Sequence, residues 1–211
     1  LALRWRKTRV AKMIPVTAQP EPADFDAKVR KKGLAYLNKH GFLLSQPLPA
    51  TAQIAPYWRD CLTDLHQAYG GVCAYIGVFF ERVMGAGSVD HFIAKSALAG
   101  QAYEWSNYRL ACSTMNSRKR EYNDVLDPFF LAPNSFWLQL STGHIYPNPH
   151  LVAQPRRIVE QTIERLGLDG PACRELRARL YQEYLEYQLP SDYLRKLSPF
   201  IWGEANRQGV L

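Results

Sequence analysis

The chain has 211 residues, of which 47% are hydrophobic. That supports one domain of ordinary size with a real core and excludes a disordered composition. No run approaches the roughly eighteen apolar residues a transmembrane helix needs. The net charge of +7 is concentrated at the start, because Arg4, Arg6, Lys7, Arg9 and Lys12 leave 21 basic against 19 acidic residues, or +2, for the rest. Overall basicity is therefore a weak argument for a nucleic-acid partner.

Residues 1–12 carry no acid and are followed by Met13-Ile-Pro-Val, not by the apolar stretch of a secretory signal. They read either as a native basic start or as a leader ahead of a start at Met13. Residues 1–22 together form a leader and extended lead-in, and residues 23–71 the N-terminal helices. From Asp24 or Asp26 to about His40, Val29, Leu34, Tyr36 and Leu37 suit one helical face, with Gly41 as the stop. Residues 42–55 read as a loop. A second helix is predicted over Tyr57–Tyr69, with Trp58, Cys61, Leu62 and Leu65 as its stripe and Gly70-Gly71 ending it. His66 beside that stripe reads as a packed or surface group.

The apolar, β-branched run from Val72 to Val83 predicts a strand, with a turn at Met84–Gly87 and a second strand through Val89. A well-buried helix is then predicted from Ala102 to about Lys119. Asp124–Pro133 reads as a loop. Phe136–Leu140 and His144–Tyr146 suggest a hairpin, beside which His144 and His150 read as surface groups. Beyond Pro155 the pattern turns helical, with a stripe of Ile158, Val159, Thr162, Ile163 and Leu166. Pro171 opens a further helix at its first turn, and Tyr193–Asn206 adds one or two short ones. Arg156, Arg157, Arg174, Arg177 and Arg179 are nearly balanced by acids and read as ordinary helix surface. Residues 72–128 are expected to form the central core, with 129–211 packed on it in the same domain. Cys61, Cys73, Cys112 and Cys173 are scattered and read as reduced thiols of a cytoplasmic protein.

The chemistry concentrates in Ser88–Lys119. It contains S-V-D-H-F-I-A-K-S and, after a gap, W-S-N-Y-R-L-A-C-S-T-M-N-S-R-K. Asp90 precedes His91, Asn107 follows sixteen positions later and Asn116 nine further on. Hydrolysing a phosphodiester requires a deprotonated water, neutralisation of charge on the phosphoryl group and a stabilised leaving oxygen. Asp90 and the side-chain carbonyl of Asn116 are hard ligands suited to one Mg²⁺ or Mn²⁺. A neutral His91 suits the general base. Neighbouring residues on extended backbone point opposite ways, so Asp90 and His91 need not crowd each other. Asn107 is a polar brace whose amide can tie the strand loop to the helix. The simpler readings are a packed core histidine at His91 and a helix cap at Asn116.

This stretch resembles the HNH endonucleases and their ββα-metal fold, most strongly over Val72–Pro128. The resemblance implies Asp90 and Asn116 as metal ligands, His91 as general base and Asn107 as the brace counted with the catalytic residues. It also implies an α+β fold, mostly helical overall, whose ββα-metal core is flanked by N-terminal helices, a small β-hairpin and a C-terminal helical cover. Some members of similar bacterial subgroups belong to anti-phage defence systems of the Septu or Zorya type. Many HNH proteins carry a zinc site built from two C-x-x-C pairs. Here those positions read Cys73-Ala-Tyr-Ile76 and Cys112-Ser-Thr-Met115, so no structural zinc is expected and packing of Ile76 and Met115 takes its place.

Lys95, Arg109, Arg118, Lys119 and Arg120 are candidates to hold phosphates beside the cut, or else a solvated charged face. Tyr103 and Tyr108 can stack on bases or pack inside, and Trp105 reads as core. The expected function is a cytoplasmic, metal-dependent endonuclease that nicks or cleaves DNA nonspecifically, without membrane association. Two alternatives stand: a catalytically silent DNA- or protein-binding module, and a nuclease subunit active only with an ATPase partner.

Overall fold

A computed structural model describes residues 16–84 and 87–211. The basic start at 1–12 and part of the Met84–Gly87 turn lie outside the described residues. The protein is α+β: the described residues form seven α-helices and two antiparallel two-stranded sheets. No described helix is long and apolar enough to cross a membrane.

A π-helical turn at Asp26–Arg30 runs into α1 (Lys31–Lys39), which stops at Gly41 with φ +70°. The buried Gly33 in α1 is a close-approach position. A Cβ there would stand 2.1 Å from the Tyr103 ring, so only glycine lets the helix lie against that aromatic. A 3-10 turn at Tyr57–Cys61 leads into α2 (Leu62–Ala68), which ends at Gly70 and Gly71 in left-handed conformation. His66 donates from Nε2 to the Phe80 carbonyl at 2.9 Å, so it is a packed group.

The strand expected within Val72–Val83 does not form. Apart from a single bridge between Val72 and Phe79, residues 72–80 form a folded-over loop packed in the core, followed by a 3-10 turn at Arg82–Met84 whose Arg82 and Val83 are exposed. Gly77 turns the loop with φ +67°, the Gly77 amide bonds the Cys73 carbonyl, and Cys73 bonds the Val78 carbonyl. Other amides pair outside the segment, Ala74 with the Leu110 carbonyl, Phe79 with Leu197 and Phe80 with Gly71. Burial of Cys73, Ala74, Tyr75, Ile76 and Val78 produced the apolar signal without a ladder.

The first true strand, β1 (Gly87–His91), pairs antiparallel with β2 (Tyr108–Cys112), placing Asp90 opposite Arg109 and His91 opposite Tyr108. The helix expected over 102–119 is thereby corrected. Residues 99–107 form a loop with two 3-10 turns, 108–112 form β2, and only α3 (Ser113–Lys119) is α-helical. Tyr108, Arg109, Leu110 and Ala111 are all buried. A strand covered on both faces has no alternation and cannot be told from a buried helix by periodicity.

The second hairpin is β3 (Phe136–Gln139) with β4 (His144–Pro147). Then come α4 (Ala153–Leu166), α5 (Pro171–Glu186, with Pro171 at its first turn), α6 (Ser191–Leu197) and α7 (Pro199–Gln208). Arg177 on α5, read as surface, is in fact buried. It donates to the carbonyls of Gly143 and Leu168 at 2.9 and 2.7 Å, stitching the β3–β4 turn to the helices.

Two apolar cores flank the β1–β2 hairpin. One joins Phe25, Val29, Leu37, Cys61 and Leu65 to Val89, Tyr103, Trp105, Tyr108 and Leu110 of the hairpin region. The other joins Cys73, Tyr75, Ile76, Ala111 and Met115 to β3, β4 and the C-terminal helices. The hairpin is thus clamped from both sides, and α3 projects from it with a fixed direction. Cys73 and Cys112 are close, with the Cys112 amide donating to Cys73 Sγ at 3.4 Å, and Ile76 and Met115 are buried in the same cluster.

Candidate functional site

The loop between β1 and β2 is closed by Asn107. Its Oδ1 accepts from the Ile93 amide at 2.8 Å, and its Nδ2 donates to the carbonyls of Ile93 and Gln101 at 3.0 and 2.9 Å. One buried amide therefore pins two points of the loop. It ties the loop to itself; the tie to the helix expected from sequence is absent, because β2 intervenes before α3.

The same loop orients His91. Its Nε2 lies 2.9 Å from the carbonyl of Ala102, the residue after Gln101. A carbonyl accepts only, so Nε2 carries the proton and Nδ1 the lone pair. Tyr108 also donates its hydroxyl to the Ala102 carbonyl. The imidazole packs edge-on against Trp58 at 4.9 Å and Tyr108 at 5.1 Å. Burial, with the Lys95 ammonium adding to it, pushes the imidazole down to about 3, so the ring is neutral near pH 7.

Asp90 is held by a different set of neighbours. One carboxylate oxygen accepts a short hydrogen bond from the Tyr75 hydroxyl. Its second oxygen accepts no hydrogen bond among the described residues. Burial raises its carboxyl above the usual range, and Lys119, Tyr75 and Arg109 work against that rise. Asn116 is half-buried on α3, and its side-chain amide has no hydrogen-bond partner among the described residues.

Asp90, His91 and Asn116 line one cleft of about 560 Å³ together with Trp58, Lys95 and Arg120. Here sequence-distant residues meet. The hairpin brings Asp90 and His91 to the cleft, and α3 brings Asn116. Among the described residues no group of three or more His, Cys, Asp or Glu ligands gathers anywhere. The cleft offers the carboxylates of Asp90 and Glu121 and the amide oxygen of Asn116. That donor set is short of a full protein cage and fits a hard cation that keeps several waters, as Mg²⁺ does.

The five basic candidates separate. Lys95 and Arg120 line the cleft. The Lys95 ammonium stands over the Trp58 ring at 4.4 Å, and Arg120 is exposed just past α3. Arg109 and Lys119 are corrected, and Arg118 lies outside the cleft lining. Arg109 is only 2% exposed. It binds Asp127 through two contacts of 2.8 and 2.6 Å and stacks on Phe129 at 3.5 Å, so it braces the interior. Lys119 is fully buried, donates to the Phe92 carbonyl at 3.1 Å and senses the negative charge of Asp90 and Asp127. Arg118 donates to the carbonyls of Leu166 and Gly167, capping the C-terminus of α4.

Several cleft residues escaped sequence reasoning. Arg59 and Trp58 come from the 3-10 turn before α2 and Glu121 from beyond α3, while Tyr75 of the buried loop holds Asp90 from outside the cleft lining. Trp58 looked like part of an apolar stripe, and Tyr75 like one more hydrophobe. No local pattern marks either as a neighbour of Asp90 or His91. His144, read as a lone surface group, bonds Asp169 through Nδ1 at 2.8 Å. Trp105 is core as expected, with its indole donating to the Gln19 carbonyl. Tyr103 and Tyr108 are buried too. No protein-family model matches this chain, and no curated protein matches it.

Proposed function

We propose that this chain is an HNH-type, metal-dependent endonuclease acting on DNA in the cytoplasm, by nicking or nonspecific cleavage. The observation that carries the reading is the committed tautomer of His91 at a cleft that also holds Asp90 and Asn116. A neutral imidazole with its proton locked on Nε2 presents Nδ1 as the acceptor a hydrolytic base needs.

His91 Nδ1 takes a proton from a water facing the phosphodiester. The protonated ring keeps its Nε2–H bond to Ala102, so it does not reorient during the transfer. A bound polyanion favours the imidazolium and so opposes the depression caused by burial and Lys95. Asp90 and Asn116 would hold the divalent cation, Mg²⁺ or Mn²⁺, one per site. Bound there, the cation supplies Lewis-acid neutralisation of phosphoryl charge. Lys95 and Arg120 offset charge on phosphates at the cleft, and Asn107 keeps the loop that orients His91.

Supercoiled plasmid incubated with Mg²⁺ or Mn²⁺ tests this reading. Nicking that disappears with EDTA and in His91→Ala is the expected result; equal nicking by His91→Ala and the parent protein would sink the assignment. The low exposure of Asp90 (2%) and His91 (8%) favours one second reading, a nuclease subunit silent until a partner such as a defence-system ATPase opens the cleft. In that case nicking appears only after the partner is added.

A further inference from the structure

A second hollow of about 630 Å³ lies beside the cleft, and Arg120 lines both. Its other lining residues are Ser113, Thr114, Ser117, Arg118, Tyr122 and Arg165. None of them is acidic. Asp124, outside the lining, pairs with Arg165 at 3.1 Å and offsets that charge. Arg118 is engaged by neutral carbonyls, and Arg120 forms no ion pair among the described residues. Two cationic charges therefore remain uncompensated. Ser113, Thr114 and Ser117 are exposed on α3, and each hydroxyl can donate to an anionic oxygen. Tyr122 is held beneath the Arg165 guanidinium at 4.4 Å, which steadies the far wall.

We infer that this hollow seats a flanking phosphate of the DNA strand whose scissile phosphate lies in the cleft, with Arg120 shared between the two. The inference rests on the nuclease reading and extends it. The substrate is a strand long enough to reach along α3, and affinity for it comes in part from outside the catalytic residues. Such contacts position a backbone without reading its sequence, which suits nonspecific cleavage.

The test is anisotropy of a short fluorescein-labelled DNA duplex in EDTA across a salt series, with metal-dependent plasmid nicking measured in parallel. The double variant Thr114→Asp/Ser117→Asp is expected to weaken binding about tenfold or more and to flatten the salt dependence. Thr114→Lys/Ser117→Lys is expected to tighten binding, a gain that misfolding cannot produce. The same charges placed at the exposed Gln139 and Gln182, on other elements, are expected to change affinity less than threefold or so. Equal responses at the two places, or no response at α3 while the parent protein nicks plasmid, overturn the subsite and leave the nuclease reading standing. A parent protein that neither binds nor nicks DNA overturns both.

Discussion

Replacing Asn107 by aspartate changes one atom's chemistry and almost no volume. The native amide is 4% exposed and makes three hydrogen bonds, one as acceptor from the Ile93 amide and two as donor to the Ile93 and Gln101 carbonyls. Aspartate keeps the first and loses both others. It also turns a carboxylate oxygen toward two carbonyl oxygens. Each lost bond costs about 1 kcal/mol, and the unsatisfied buried groups add about 1–3 kcal/mol. Asn107→Asp is therefore expected to lose about 3–5 kcal/mol near neutral pH. The burial and the facing carbonyls raise that carboxyl in the folded state. Stability then returns as pH falls and the group regains a proton to donate, and is lost again as pH rises through the raised value. Urea unfolding at about pH 7 and about pH 5 reads both effects. A loss below about 1 kcal/mol, or a loss independent of pH relative to the parent, would refute the brace. Because Ala102, which holds His91, directly follows Gln101, nicking under folded conditions is expected to fall about tenfold or more.

Arg109→Gln removes one partner of a buried ion pair with Asp127 and should cost about 3–5 kcal/mol in urea unfolding. The salt dependence of DNA binding should stay as in the parent, since Arg109 does not reach the surface; a flattened salt slope would restore it as a phosphate contact. His91 is held neutral with its value pushed down to about 3, whereas the unfolded chain binds that proton near pH 6.5. Its contribution is full above about pH 6.5 and is lost as pH falls toward about 3, with a slope of up to about 1.4 kcal/mol per pH unit. The difference in stability between the parent and His91→Gln, followed by urea unfolding across that window, should show this slope. A flat difference would mean that His91 is solvated and free to charge.

The sequence carried the punctuation of this fold well. Gly41, Gly70 and Pro171 end or open helices where local backbone chemistry requires it, and the β3–β4 hairpin follows from two alternating segments around a glycine turn. It also carried the site as a list. Asp90 and His91 do lie on a strand and Asn116 on a helix, whereas Asn107, expected to tie the strand loop to that helix, ties the loop to itself. It failed where burial removes periodicity. Much of the run at 72–83 is buried in one core, and 108–112 is covered on both faces because it contributes to both. In both places composition reports burial without reporting the conformation.

What the sequence determined by itself was the inventory: the residue types, their spacing and the glycines and prolines that bound the elements. Only the tertiary structure decided which cations are free. Lys95 and Arg120 reach the cleft, Arg118 is held at the α4 carbonyls beside the second hollow, and Arg109 and Lys119 are consumed by Asp127 and by the Phe92 carbonyl. Five similar charges within one stretch look alike along the chain. Each is spent or spared according to the acceptors that folding brings within hydrogen-bond reach. The same holds for His91, whose tautomer and neutrality come from the Ala102 carbonyl, Trp58 and Tyr108, partners that the histidine's own neighbours in sequence do not announce.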